Sequence, residues 1–201
     1  MEYLSDWMNQ RFSPSLASVP GFLWIRTVMF LVIAIALAVM AGVAVRNSAI
    51  LVNPKPSDHH AVRNLEAAVE NYVKEYGRLP ASSSHSETDG KEGQELLSVL
   101  LGIGEESAQM KNPRLIKFLS VKEGEGRRDG LIYDDAGRHV EGLFDSWGRP
   151  YVVEMDLTNK GSLRFNHGSK EVELPGRWVA AYSVGADGKA GTRDDIKSWE
   201  R

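Results

Sequence analysis

The chain has 201 residues, of which 24 are Lys or Arg and 27 are Asp or Glu, so its formal net charge is −3. This length suits one compact domain with additional segments, since domains usually run about 100–150 residues. The nearly balanced charge argues against a nucleic-acid-binding protein, which needs a basic face to neutralise phosphates. The absence of cysteine excludes disulfides, thiolate metal sites and a cysteine nucleophile.

An apolar segment without any charged residue covers residues 27–45, and Arg26 and Arg46 flank it. A bilayer core of about 30 Å needs about 20 helical residues, so we predict a transmembrane helix over this segment. It follows a leader or cytoplasmic segment, residues 1–26. A buried core helix is the weaker alternative, because such a length without a polar face is rare in soluble proteins. Basic residues lie on both sides, so charge alone does not orient the helix.

Two prolines interrupt the chain after the membrane segment. Pro54 and Pro56 each lack an N–H and restrict the residue before them, which predicts a linker over residues 46–56. The remaining residues, 57–201, are then predicted to form a separate folded domain.

This domain is predicted to begin with an amphipathic helix, with Ser57 as its N-cap and Gly77 at its end. Its apolar residues recur at spacings of three and four and make one stripe, which consists of Val62, Leu65, Val69, Tyr72, Val73 and Tyr76. A polar loop over residues 81–90 and a short helix over residues 94–101 follow.

Short β-type runs separated by turns fill the C-terminal third of the chain. They begin at Leu131, Tyr151, Leu163 and Trp178. Helices first and strands later indicate an α+β fold, in which the amphipathic helix packs on a small antiparallel sheet.

Two stretches of this third are informative in more detail. The first, Asp145–Tyr151, has the sequence DSWGRPY, in which aspartate, glycine and proline set a turn and Trp147 offers an apolar anchor. We interpret it as a folding motif rather than a reactive site.

The second stretch is a glycine-rich loop within Ser183–Ile196, which carries Asp187, Asp194 and Asp195. A hard cation such as Ca²⁺ takes six to eight oxygen ligands from carboxylates and carbonyls, and an ion would relieve the repulsion between adjacent aspartates. The spacing is not that of an EF-hand. A hairpin turn at Asp187 with a solvated acidic pair explains the same residues equally well, so the residues alone leave both interpretations open.

Taken in order, several of these features resemble the major pseudopilin family of type II secretion systems, which are related to type IV pilins. They span the chain from Phe22 to Trp199 and comprise an apolar helix after Gly21-Phe22, the helix end Tyr76–Pro80, the turn Asp145–Tyr151 and the S-V-G-A-D-G…D-D-I segment Ser183–Ile196.

The resemblance implies a pilin-like fold, with a transmembrane helix in the inner membrane and the C-terminal domain in the periplasm. It implies a structural subunit of an envelope filament, whose partners are other pseudopilin subunits, inner-membrane secretion components and the lipid bilayer, with no nucleic acid. It also implies a calcium ion in the C-terminal loop, held by the Val184 carbonyl and by the side chains of Asp187, Asp194 and Asp195.

The prepilin leader is degenerate. The leader has no basic residue close to the cleavage point at Gly21-Phe22, and Arg26 occupies the position where the family has a glutamate. An alternative function is therefore a membrane-tethered calcium-binding interaction module that does not polymerise. An anchored hydrolase that uses the aspartates of the loop is a distant third, since no paired nucleophile and base is evident. We therefore expect no enzymatic activity.

Overall fold

A computed structural model describes residues 28–36, 55–104, 106–134, 136–137, 139–158 and 160–200. The chain divides into two compact units, Met1–Ser48 and Ala49–Arg201; we call the second the C-terminal domain. In the first unit, residues 28–36 are helical (α1) and their large apolar side chains are exposed. Within the described ranges, no helix is both long and apolar enough to cross a membrane. The predicted leader lies outside these ranges, and so do most of the predicted transmembrane segment and linker.

Helix α2, Pro56–Tyr76, opens the described part of the C-terminal domain. Lys55 is extended (φ −69°, ψ 148°) and Pro56 occupies the first helical position, where its missing N–H and fixed φ are tolerated. The predicted N-cap at Ser57 is wrong, because this residue lies inside the first turn and the Asp58 carboxylate accepts the Lys55 N–H at 3.2 Å. Gly77, at φ +67°, ends the helix as predicted.

The predicted apolar stripe of α2 is confirmed. Four of its six residues are fully buried, namely Val62, Leu65, Val69 and Tyr72, and the other two, Val73 and Tyr76, pack partly buried against the same core. Helical spacing of apolar residues therefore located the packing face of α2 correctly.

Two shorter helices follow, α3 (Lys91–Leu101) and α4 (Glu106–Lys111). The described residues contain eight strands: β1 His85–Glu87, β2 Gly130–Tyr133, β3 Val140–Phe144, β4 Val152–Met155, β5 Ser162–His167, β6 Lys170–Pro175, β7 Val179–Ser183 and β8 Ile196–Lys197. Four of them form an antiparallel sheet in the order β1-β4-β7-β8, and β2–β3 and β5–β6 form two-stranded antiparallel hairpins. The fold is thus α+β, with the long helix α2 packed against antiparallel sheets.

The two faces of the four-stranded sheet have different neighbours, because side chains alternate along each strand. Val153, Ala181 and Ile196 belong to the core that α2 shares. The opposite face carries Tyr182, and the hairpin β5–β6 covers it. The Phe165 ring stacks on Tyr182 at 6.3 Å and the His167 ring meets it edge-on at 4.5 Å. The hairpin is thereby held beside the C-terminal loop.

We expect Leu65→Ala to lower the free energy of unfolding by about 2–4 kcal/mol, because truncating a fully buried leucine leaves a cavity in the core. Thermal unfolding of the full chain would measure the change. Arg63→Ala, on the exposed side of α2, is the matched control and should change stability by no more than about 0.5 kcal/mol. An equal, small effect of both substitutions would contradict the packing of α2 described above.

Candidate functional site: a turn and a C-terminal loop joined by carboxylates

The turn after β3 is organised by one buried carboxylate. Asp145 has no exposed surface, and its Oδ1 accepts the backbone N–H groups of Trp147 and Arg149, each at 2.8 Å. Gly148 adopts φ +83°, which glycine reaches without strain. The turn therefore folds around Asp145, in agreement with its interpretation as a folding motif.

The same carboxylate fastens this turn to the start of the C-terminal loop. The Ser183 hydroxyl donates to Asp145 Oδ2, and the Ser183 Oγ in turn accepts the Gly185 N–H at 3.0 Å. Burial raises the pKa of the Asp145 carboxyl, against the opposing influence of these hydrogen bonds. The two stretches that the sequence singled out are thus directly bonded to each other.

A second buried carboxylate connects the turn to α2. Asp58 Oδ1 accepts the Tyr151 hydroxyl at 3.1 Å, and its Oδ2 accepts the Ser146 hydroxyl at 2.6 Å. Burial, reinforced by the nearby Asp58 and Asp145 carboxylates, raises the pKa of the Tyr151 hydroxyl, so it stays protonated as a donor. Helix, turn and loop therefore form one hydrogen-bonded framework.

Within the C-terminal loop, the Asp194 side chain accepts hydrogen bonds from earlier residues of the same loop. Its Oδ2 accepts the Asp187 N–H at 2.9 Å, and its Oδ1 accepts the Thr192 hydroxyl at 2.6 Å. Burial acts to raise the pKa of Asp194, but hydrogen bonds from Thr192 and loop N–H groups hold it below its usual range. A Cβ on Gly185 would lie only 2.4 Å from the Asp194 carbonyl oxygen, so the two ends of the loop touch.

Asp195 is bonded to a different part of the domain. Its side chain is completely buried, and its Oδ2 accepts the His167 imidazole at 2.6 Å and the N–H groups of Gly191 and Thr192 at 2.8 and 2.9 Å. His167 is itself only 4% exposed. Asp195 therefore joins the loop to the end of β5.

A protein cation also lies against the acidic turn of the loop. A Cβ on Gly188 would come within 2.8 Å of the Arg149 guanidinium carbon, so the guanidinium packs on the residue that follows Asp187. The Asp187 carboxylate accepts the Lys189 N–H at 2.8 Å. Part of the charge repulsion expected for this loop is therefore relieved by the protein itself.

The four predicted calcium ligands are not equivalent. Asp187 and Asp194 meet through a backbone hydrogen bond, half-buried Val184 lies between Ser183 and the tightly packed Gly185, and Asp195 is occupied by His167. Across the described ranges, no three histidine, aspartate or glutamate side chains converge to hold a metal ion. An ion in this loop would consequently depend on backbone carbonyls as well as carboxylates.

Two histidine–carboxylate pairs were missed by sequence reasoning, which treated the histidines as scattered. Besides His167 with Asp195, the His85 imidazole contacts Glu154 at 2.7 Å across strands β1 and β4. Burial raises the pKa of Glu154, and the contact with His85 partly offsets this. The partners lie 28 and 69 residues apart in the chain. The pairing of β1 with β4 places His85 opposite Glu154, and the packing of the β5–β6 hairpin on Tyr182 brings His167 to the C-terminal loop.

Comparison with known proteins gives no identification. No protein-family model, no curated protein and no solved structure matches the chain. Function is therefore inferred from the residues and the geometry of the site.

Proposed function

We propose that this chain is a pseudopilin-like structural subunit of a type II secretion filament or a related envelope filament. In this proposal residues 27–45 span the inner membrane once and the C-terminal domain lies in the periplasm. Its partners are other pseudopilin subunits and inner-membrane secretion components. The role is structural, and we expect no catalytic activity.

The observation that carries the proposal is the bond between Asp145 and Ser183. The two sequence motifs that most resemble the family are joined there, although they lie 38 residues apart. Asp58 extends the same framework to α2. These hydrogen bonds hold α2, the turn and the C-terminal loop together. Such a rigid domain is suited to packing against neighbouring subunits.

The proposal includes a calcium ion in the C-terminal loop, held by three of the four predicted ligands. We assign the ion to the Val184 carbonyl, Asp187 and Asp194, since Ca²⁺ prefers oxygen ligands and accepts irregular geometry. Asp195 is the least available ligand, because its Oδ2 already accepts three hydrogen bonds. The ion would supply charge neutralisation and would hold the loop closed.

The second candidate, a tethered interaction module that does not polymerise, is favoured by the start of α2. Extended Lys55 and Pro56 at the first helical position begin a new helix there. The long helix of the family's fold would run through this point.

Filament recovery tests the proposal. The full chain would be produced with a secretion ATPase and prepilin peptidase, and sheared filaments would be quantified by immunoblotting and electron microscopy. We expect few filaments from the unaltered chain and several-fold more from Arg26→Glu, since arginine would repel the free amine of a neighbouring subunit, with which the family's glutamate is thought to pair. Arg63→Glu serves as the control and should not raise the yield.

Two other results are informative. Abundant filaments from the unaltered chain would show that Arg26 does not impede assembly. If neither the unaltered chain nor Arg26→Glu enters filaments, while both remain in the membrane fraction, the chain is a tethered interaction module and not a filament subunit.

A further inference from the structure

We propose that a groove at the C-terminal end of α2 binds an acidic polypeptide segment that carries a large apolar side chain. The groove has a volume of about 580 Å³, and its walls include Val73, Arg78, Leu79, Asp156, Leu157 and Trp178. We call it the Trp178 groove. It belongs to the C-terminal domain alone and does not depend on filament formation.

The Trp178 groove exposes large apolar side chains that the fold does not cover. Trp178 is 39% exposed and Leu157 is 44% exposed. Tryptophan at the edge of a depression is typical of the residues that contribute most of the binding energy at protein interfaces. Binding a partner would remove this apolar surface from water, which favours association.

The groove is built on backbone that is already fixed. The Trp178 carbonyl accepts the Asp156 N–H at 2.8 Å, and the neighbouring Arg177 guanidinium contacts Glu66 of α2 at 2.6 Å. The Asp156 carboxylate accepts the N–H groups of Thr158 and Lys160 at 2.9 and 3.0 Å. A preorganised site loses little conformational entropy on binding.

The charge around the groove selects an acidic partner. Arg78 lines the groove, and Lys160 lines an adjoining depression of about 740 Å³ that shares Leu157 with it. The Arg78 guanidinium donates to the backbone carbonyls of Met110 and Lys111, each at 3.4 Å, which leaves its positive charge in place. Within the described part of the chain, neither cation is paired with a carboxylate. Asp156 is engaged by its own turn: the hydrogen bond from the Thr158 hydroxyl lowers the pKa of this carboxyl most, and further loop N–H groups support it. Complementary charge steers and orients such a partner.

The shape of the site favours a polypeptide over a membrane. Two adjoining depressions can take alternate side chains of an extended segment, which lie about 7 Å apart. The exposed Leu157 side chain lines both depressions, so apolar surface continues from one to the next. Membrane-binding surfaces instead insert an apolar face about 5–10 Å into the headgroup boundary, whereas Trp178 lines a concave wall.

Fluorescence anisotropy would test the proposal with the full chain in phosphatidylcholine nanodiscs. The probe is a fluorescein-labelled twelve-residue peptide in which glutamate alternates with leucine and phenylalanine. We expect saturable binding that weakens with added salt, and at least tenfold weaker binding by Trp178→Ala and by Arg78→Glu. Lys170→Glu, an equal charge change at the exposed start of β6, is the matched control and should bind within twofold of the unaltered chain.

Several outcomes overturn the proposal: no saturable binding, unchanged affinity in folded Trp178→Ala, or equal affinity for a peptide with lysine in place of glutamate. Binding to phosphatidylserine vesicles that Trp178→Ala abolishes, without peptide binding, would identify a membrane-binding surface instead. Circular dichroism establishes folding of each variant. If Trp178→Ala does not fold, Leu157→Glu takes its place, because Leu157 is more exposed and lies in the turn after β4.

Discussion

Asp145→Ala is expected to destabilise the C-terminal domain by about 3 kcal/mol and to release the C-terminal loop. The substitution leaves two partly buried N–H groups, those of Trp147 and Arg149, without their acceptor, and removes the partner of the buried Ser183 hydroxyl. Each buried group left unsatisfied costs about 1–3 kcal/mol, and some water entry will reduce the sum. The midpoint temperature of thermal unfolding should fall by about 6–12 °C for a domain of this size.

Asp145→Asn distinguishes the contribution of the Asp145 hydrogen bonds to stability from the contribution of its negative charge. Asparagine keeps an acceptor for the turn N–H groups, so it should cost less than alanine. Because burial raises the pKa of Asp145 in the folded state, the folded protein binds this proton more tightly than the unfolded chain does. The contribution of Asp145 to stability is then complete below its unfolded pKa, about 3.9, and declines as the pH rises through the folded value. Asp145→Asn should therefore cost less at pH 7 than at pH 4.

Glu200→Ala is the control for both variants, since this exposed residue forms a surface ion pair with Lys197 and surface ion pairs contribute little. Hydrogen exchange would report on the loop. Faster exchange at Gly185 and Asp187 in Asp145→Ala, without a change in the middle of α2, is the expected pattern. A loop that exchanges as slowly as in the unaltered chain would mean that Asp145 supports the turn alone.

Local periodicity was sufficient to predict the helical part of this fold. The stripe from Val62 to Tyr76 lies on one side of α2, as its spacing required, and Gly77 ends the helix. Strands with apolar runs, such as β4 and β7, were also predicted. Burial of one face of a helix or strand places apolar residues at regular intervals in the sequence. This periodicity is visible without knowledge of any long-range contact.

Two strands outside the longer apolar runs were missed. β1, His-Ser-Glu, lies in a stretch predicted as a polar loop and contains no apolar residue, whereas in β6 Val172 and Leu174 do alternate with charged residues, a period that is typical of a strand. Each is a strand because its partner supplies the hydrogen bonds: β4 pairs with β1, and β5 pairs with β6. Pairing across the chain is a tertiary property, which short-range preference does not encode.

The roles of the individual aspartates in the candidate site likewise depend on long-range contacts. Asp187, Asp194 and Asp195 were singled out as one acidic group because they are close in sequence. In the fold, Asp195 is bonded to His167 across 28 residues, while Asp194 is bonded to Thr192 and to the Asp187 backbone. Composition therefore located the loop, but the distribution of roles among its carboxylates required the position of the β5–β6 hairpin.

This division of roles leads to the second large expected effect, in Asp195→Ala. The variant should lose about 3 kcal/mol of stability, because the buried His167 imidazole and the N–H groups of Gly191 and Thr192 lose their acceptor. The loss should be the same in calcium and in chelator, since Asp195 is already occupied by protein donors. Thermal unfolding of the full chain in both conditions provides the measurement.

Asp187→Ala should behave in the opposite way. In chelator it should cost less than about 1 kcal/mol, since it removes one exposed hydrogen bond to the Lys189 N–H. In calcium it should abolish a stabilisation of RT ln(1 + [L]/Kd), which is about 2.7 kcal/mol at a hundredfold excess of ion over Kd. Magnesium should substitute poorly, because it demands octahedral geometry and retains its waters. Lys170→Ala, at the exposed start of β6, is the control and should keep the full calcium response.

The pair of variants separates three explanations of the loop. A calcium response that disappears in Asp187→Ala but survives in Asp195→Ala places the ion among Val184, Asp187 and Asp194. A response that disappears in both variants makes Asp195 a ligand, so His167 must then release it when the ion binds. Identical melting of the unaltered chain in calcium and chelator, with no calcium bound in calorimetry, leaves a loop that holds no ion and is fastened by the Asp145–Ser183 and His167–Asp195 hydrogen bonds.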